Sequence, residues 1–198
     1  MSIAWPQRLV VVDVEGNGLH PPDLVEVAAF PLTDGALATA AGRQWLIRPP
    51  RPVTPFAARV HGHTTTSLSS CPPWEQIADQ VAATLEGAWM CAHHAPVDYR
   101  ELTRHLPGWK PTGVLDTLRL ARATYPGLPS YSLDALIDHA GLDVSGAPGK
   151  RHQAPFDAYA AGQLLLDLAS HYTAWEALAA AAVPRGMPGH PAAEDTLW

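Results

Sequence analysis

Hydrophobic and polar positions divide the chain into short segments of two periods. Arg8 to Val14 is a run of β-branched and aliphatic residues ending in Asp13-Val14-Glu15-Gly16-Asn17-Gly18. It has the pattern of a buried strand entering a glycine-rich turn. Leu24 to Leu32 and Arg43 to Ile47 share that strand character, with a turn at Thr33-Asp34-Gly35, so an antiparallel meander is expected first. Pro49 to Pro55 excludes regular structure, and Phe56 to Val60 predicts a short helix before His61-Gly62-His63. From Pro73-Trp74 the period lengthens: Trp74, Ile77, Val81 and Leu85 fall on one helical face, which Gly87 terminates. Ala88 to Ala92 is then a buried strand, Pro96 the first residue of a helix over Val97 to Leu106, Val114-Leu115 a strand, and Thr117 to Thr124 a helix. Ser130 or Ser132 caps a helix over Leu133 to Ala140 that stops at Gly141, and Pro155 opens a long helix through Leu168 and beyond His171. Beyond Pro184 the periodicity is lost. The alternation predicts one α/β domain over residues 1–182 and a flexible C-terminal tail at 183–198, with no internal repeat.

Composition narrows this picture. With 47% hydrophobic and 16% charged residues the chain is globular rather than disordered. Cys71 and Cys91 are too few and too far apart for a disulfide framework or a thiolate zinc site, which points to a reducing, cytoplasmic setting. Met1 to Val12 lacks the features of a secretion signal, and no apolar run approaches the roughly 18 residues of a membrane helix. No membrane partner is expected. Trp74 and Trp175 lie at helical apolar spacing and are assigned to the core, whereas Trp45, Trp89 and Trp109 stay open between core and base stacking.

Three clusters carry candidate chemistry. Asp13 and Glu15 are two apart on a strand, so their side chains share one face, about 6 to 7 Å apart in Cα position. Two carboxylates there repel each other unless a cation or protons compensate. In His93-His94-Ala95-Pro96-Val97-Asp98 an acid falls in the first turn of a helix, where the dipole favours it. In His152-Gln153-Ala154-Pro155-Phe156-Asp157 a loop histidine precedes a helix that carries an acid in its first turn. Taken alone, Asp13 and Glu15 read first as a solvated acidic turn at a strand end and Asp98 as a helix-capping acid. His61, His63, His93 and His94 form a further histidine group that zinc could use, although no cysteine or fixed helical spacing supports it.

In this order and spacing the clusters resemble the three exonuclease motifs of the DEDDh (DnaQ-like) 3′-5′ exonuclease superfamily, which includes the epsilon proofreading subunit of bacterial DNA polymerase III and ribonuclease T. The likeness runs from about Leu9 to Leu168. It takes in Val60-His61-Gly62 with Thr64, Leu115-Asp116-Thr117 and Tyr131-Ser132-Leu133. The resemblance implies a ribonuclease-H-like mixed sheet with antiparallel first strands, flanked by helices. It also implies that Asp13, Glu15, Asp98 and Asp157 ligate two divalent cations, Mg²⁺ or Mn²⁺, with His152 as general base. Oxygen-only ligands suit those hard ions, and an imidazole titrating near neutrality can accept a proton from water. By the same resemblance Val14, Asn17, Gly18, His61, His63, His93 and His94 are candidate substrate contacts, while Glu26 and Asp116 are expected to brace the site.

Departures from the family pattern fall around these positions. Gly16-Asn17 replaces a Thr-Thr pair, His94 an Asn, Val97 a Phe and His63 an apolar residue, which predicts a more polar, pH-sensitive pocket. The net charge of −6 argues against a long non-specific nucleic-acid track but suits an enzyme that grips only a strand end. The expected partner is a nucleic-acid 3′ end, with single-stranded DNA favoured over RNA. An exoribonuclease and a catalytically silent end-binding module are the rival readings. Glu194-Asp195-Thr196-Leu197-Trp198 is an acidic-then-hydrophobic peptide suited to a sliding-clamp or polymerase contact.

Overall fold

The computed structural model describes residues 3–33 and 35–190. Strand β1 (Leu9–Gly16) lies at the centre of a six-stranded sheet. On one side it pairs antiparallel with β2 (Leu24–Thr33), whose far edge carries β3 (Ala36–Leu37) and β4 (Arg43–Leu46). On the other side it runs parallel to β5 (Trp89–Ala92), which is parallel to β6 (Gly113–Asp116). The sheet is therefore mixed, antiparallel in its first half and parallel in its second. Leu9 to Val12 are all buried because both faces of a central strand are covered.

Alternation along β1 divides the core in two. Val10 and Val12 face α2 (Trp74–Leu85) and α3 (Pro96–His105), packing with Ile77, Val81, Leu85 and Leu102. Leu9 and Val11 face the opposite helical layer, α4 (Thr117–Thr124), α5 (Leu133–Ala140), α6 (Ala154–Ala169) and α7 (Trp175–Ala182), packing with Leu120, Leu136, Leu164, Leu165, Leu168 and Leu178. Helix α6 is apolar almost all round and buried along most of its length, as a helix wedged between a sheet and other helices must be. Gly162 lets it lie flush, since a Cβ there would sit 2.6 Å from Leu37 Cδ1.

Helix boundaries follow local chemistry. Helix α1 (Pro55–His61) is capped by Thr54, whose hydroxyl accepts from Ala57 N–H at 3.2 Å, and ends on Gly62 in the left-handed region. Ser132 caps α5 in the same way. Helix α6 ends at Ala169 rather than running past His171, because the Ser170 N–H and hydroxyl both turn back onto the Asp167 carbonyl. The stretch Val183–His190, expected to belong to the tail, instead packs on the body. Val183 is buried, and the Pro188 carbonyl accepts from Val114 N–H at 3.0 Å. The expected partner peptide Glu194 to Trp198 lies outside the described residues. Among the described residues no helix is long and apolar enough to cross a membrane.

Candidate active site

Pairing in the sheet places the first acids. Glu15 lies opposite Glu26 and Asp13 opposite Ala28 in the β1–β2 ladder, so Asp13, Glu15 and Glu26 share the face on which Ala28 packs against the start of α6. Asp157, in the first turn of α6, meets them there. Carboxylate oxygens of Asp13, Glu15 and Asp157 lie within 4.8 Å of one another, forming the one such acidic or histidine cluster among the described residues. Asp98 reaches this centre from the first turn of α3, where its Oδ1 accepts the Val14 N–H at 3.1 Å. The fourth acid is thus anchored to the backbone between the first two.

Electrostatics mark these acids as unpaired. Burial, followed by the charges of Asp98, Glu15, Asp157 and Glu26, holds the Asp13 carboxyl well above the carboxylate range. Burial and then the Asp157 charge push Glu15 up to about 8. Burial pushes Asp98 to about 8 although backbone hydrogen bonds oppose the rise. Asp157 is raised mainly by burial, against the pull of the His152 backbone N–H. Asp13 Oδ2 is buried with no hydrogen-bond partner. A buried, unsatisfied carboxylate oxygen amid three other acids is costly to the fold. The arrangement fits a divalent cation, which would complete the coordination of that oxygen and reverse the repulsion, and an all-oxygen donor set suits Mg²⁺ or Mn²⁺.

His152 stands beside this centre on an exposed loop. Its φ of +64° is unusual for a residue with a side chain, and its N–H points at Asp157 Oδ1 at 3.4 Å. His152 and Asp157 line a pocket of about 340 Å³ together with His93, His94, Leu118 and Ser132 to Asp134. Hollows of about 670 and 660 Å³ beside Trp5 and Trp109 are larger, but neither gathers such a cluster of acids.

The remaining candidates divide. His94, exposed and with φ +65°, lies in the pocket, held by its N–H to Asp116 Oδ1 at 2.9 Å. Asp116 also caps α4 through Leu118 N–H, so its expected bracing role has a definite form. His93 touches the pocket but spends both ring nitrogens internally, Nδ1 at 2.9 Å from the Thr117 hydroxyl and Nε2 at 3.0 Å from the Tyr131 carbonyl; burial lowers its pKa. His61 is buried, its Nε2 3.2 Å from the Gly16 carbonyl and its Nδ1 accepting from His63 N–H, and burial lowers its pKa too. Those partners assign the proton to Nε2. Asn17 does not present its side chain to substrate: it is fully buried, its Oδ1 accepting from Leu19 and Asp23 N–H and its Nδ2 donating to Asp23 Oδ2. Val14 contributes its N–H to Asp98, and Gly18, at φ +81°, abuts Thr54 and Ala57 so closely that a Cβ would lie 2.3 Å from Thr54 Oγ1. The four histidines do not converge on a soft-metal site, since His61 and His93 have committed their nitrogens elsewhere.

His63 takes another route. Its Nε2 lies 3.1 Å from Glu26 Oε2, at ion-pair distance though out of line for a hydrogen bond, and its ring stacks on His61. Fully buried Glu26 also accepts from Gln44 Nε2 at 2.6 Å and Ala154 N–H at 2.9 Å. Burial raises its pKa, but His63, Ala154 and Gln44 outweigh burial and lower it overall. Gln153, through the His61 carbonyl, and the Arg151–Asp134 ion pair also support the His152 loop, and local pattern does not point to them. Their partners come together only in the fold, so no local spacing reveals them.

The chain matches the RNase_T family model, described as an exonuclease, over residues 10–165. It is 33% identical over 162 residues to exodeoxyribonuclease 10 of Escherichia coli strain K12, covering 81% of this chain and 68% of that protein. It is 32% identical over 154 residues to DNA polymerase III subunit epsilon of Pasteurella multocida, covering 71% of this chain but 60% of that protein. The structure of exonuclease X in complex with 5′ overhanging duplex DNA superposes with a TM-score of 0.70 at 31% identity, over 83% of this chain and 94% of that one. With the matched region spanning all three motif clusters, the chain belongs to the RNase T-type exonuclease family.

Proposed function

We propose that this protein is a metal-dependent 3′-to-5′ exonuclease that releases nucleoside 5′-monophosphates from single-stranded ends, with DNA the preferred polymer. The observation that carries the reading is the meeting of Asp13, Glu15 and Asp157 oxygens within 4.8 Å, with Asp98 anchored beside them. Held by these four acids, two Mg²⁺ or Mn²⁺ ions would supply an activated water, neutralise charge on the phosphoryl oxygens and support the departing 3′ oxygen. His152, exposed at the pocket beside Asp157, takes the proton from the attacking water. Asp157 accepts the His152 N–H and so ties base and acid together. The pocket, about 340 Å³, lies at the small end of ligand sites and suits one terminal nucleotide. His94 and Leu118 in its lining supply a polar and an apolar surface for that nucleotide. The deoxyribonucleic relatives support DNA as the polymer.

A second substrate has its own support. The likeness to exonuclease X bound to a 5′-overhanging duplex favours a recessed 3′ end with the same chemistry. Both substrates are tested by incubating 3′-labelled and 5′-labelled single strands and recessed duplexes, in DNA and RNA form, with Mg²⁺, Mn²⁺ or EDTA. Mononucleotides should leave from the 3′ end only, faster from DNA, and not in EDTA. Binding of ends without nucleotide release in any metal would support the silent module instead. Asp13→Ala should abolish turnover, and His152→Ala should lower kcat about 100- to 10,000-fold with end-binding retained.

A further inference from the structure

We infer that Glu26 is a positioning residue whose carboxylate sets the place of the His152 loop by holding the first turn of α6. This rests on the role proposed for His152. Glu26 projects from β2 directly opposite Glu15, yet its carboxylate is engaged away from the acidic cluster. It draws together three pieces of chain remote in sequence: Gln44 on β4, His63 after α1, and the backbone N–H of Ala154. Ala154 is the first residue of α6, two residues after His152 and three before Asp157.

The geometry makes this contact decisive for the loop. The N-cap residue Gln153 offers α6 no side-chain cap, so without Glu26 the Ala154 N–H would be a buried orphan donor. Around it the other polar ties are weaker or purely local: the His152 N–H to Asp157 Oδ1 and the Gln153 Nε2 to the His61 carbonyl are both long at 3.4 Å, and the Lys150 N–H to Gln153 Oε1 bond at 2.9 Å only closes the loop on itself. Arg151 pairs with Asp134 on α5, but both side chains are substantially exposed, and such a pair holds weakly. The 2.9 Å bond from a buried carboxylate to Ala154 is therefore the strongest polar attachment of the segment carrying His152 to the rest of the fold. His152 also sits at φ +64°, a conformation that persists only where its neighbours impose it. Misplacement of a catalytic group by about 1 Å costs on the order of 100-fold in rate, so loss of the anchor should appear in kcat.

Two substitutions approach the same hydrogen bond from opposite ends. Glu26→Ala removes the acceptor. Ala154→Pro removes the donor at a first helical position that proline tolerates, after a Gln153 already extended at φ −115° and ψ 141°. Glu26→Gln keeps an acceptor for Ala154 and is the conservative rescue. At saturating metal, Glu26→Ala and Ala154→Pro should each lower kcat about 10- to 100-fold with KM within about threefold, and Glu26→Gln should stay within about threefold of wild type. In the His152→Ala background neither should slow turnover by more than about threefold, because a group already absent cannot be misplaced. Without metal, amide hydrogen exchange at residues 152–154 should quicken in Glu26→Ala and Ala154→Pro, while exchange in β1 stays unchanged. Should Glu26→Ala not fold, Ala154→Pro decides alone. Losses that multiply with His152→Ala, or a Glu26→Gln as impaired as Glu26→Ala, would overturn the positioning role while leaving the base intact. Wild-type turnover in His152→Ala would overturn the base, and this inference with it.

Discussion

The metal-free protein should lose stability as the pH rises through the neutral range, which is opposite to the usual behaviour of carboxylates. A carboxyl whose pKa is raised on folding binds a proton in the native state that the unfolded chain has released, so stability falls with pH until the native group also ionises. Glu15, at 4.5 unfolded and about 8 folded, and Asp98, at 3.8 unfolded and about 8 folded, are both in that window between pH 7 and 8. Each then contributes a loss of about 1 kcal/mol, since roughly three-quarters of a proton is retained at about 1.4 kcal/mol per pH unit. Asp13, also raised by burial and its neighbours' charges, adds in the same direction. Histidines work the other way: the lowered values of His61 and His93 mean stability gained as pH rises, but that gain ends near the unfolded value of 6.5. Restricting the measurement to pH 7 and 8 leaves only a remnant of about 0.1 kcal/mol per histidine. The two groups' total of about 2 kcal/mol corresponds to a fall in Tm of about 4 to 8 °C for a chain of this size. Circular dichroism melting in EDTA at the two pH values measures it, and Asp13→Asn should shrink the difference by removing one of the repelling charges. A wild-type Tm that is flat or rises from pH 7 to 8 would refute the claim that the acids are crowded together and protonated in the absence of cations.

Other consequences follow from the same geometry. Binding of Mn²⁺ should release at least one proton per chain at pH 7, because the ligands must ionise; titration calorimetry in two buffers of different ionisation enthalpy counts it, and a count of zero contradicts the model. Asp116→Ala should lower stability by about 1 to 2 kcal/mol in denaturant unfolding, through loss of the α4 cap and of the His94 N–H partner, and should weaken substrate binding more than it lowers kcat. Gly18→Ala forces a side chain to φ +81° and against Thr54, so a loss of about 2 to 4 kcal/mol is expected by the same unfolding measurement. Leu165→Ala, in the α6 core contact, should cost about 2 to 5 kcal/mol yet leave the metal-bound kcat near wild type at low temperature.

Much of this was readable from local pattern. The apolar run into Asp13-Val14-Glu15, the proline-led starts of α3 and α6, and the glycine stops at Gly62 and Gly141 are signals contained in a few residues, and the elements they imply are present. The three acidic motifs were legible for the same reason, each being a short string at a strand end or helix start. What stayed hidden depends on which side chain meets which across the fold. Asn17 lies one residue from the site and looks available, but the loop closed by Asp23 and Arg51 uses every polar atom it has. His61 and His93 look like ligands in sequence, yet each holds two chain segments together. The pieces gathered by Glu26 come from positions 44, 63 and 154, and no spacing rule connects them. The docking of Val183–His190 has no sequence signal, because it depends on backbone contact with β6, which irregular sequence does not advertise.

Crystals soaked in manganese and measured near its absorption edge offer the most direct trial of the four-acid centre. Anomalous peaks should appear against the oxygens of Asp13, Glu15 and Asp157, with Asp98 turned toward them and His152 alongside. Peaks on the histidines or elsewhere on the surface, with the four acids left without metal, would contradict it.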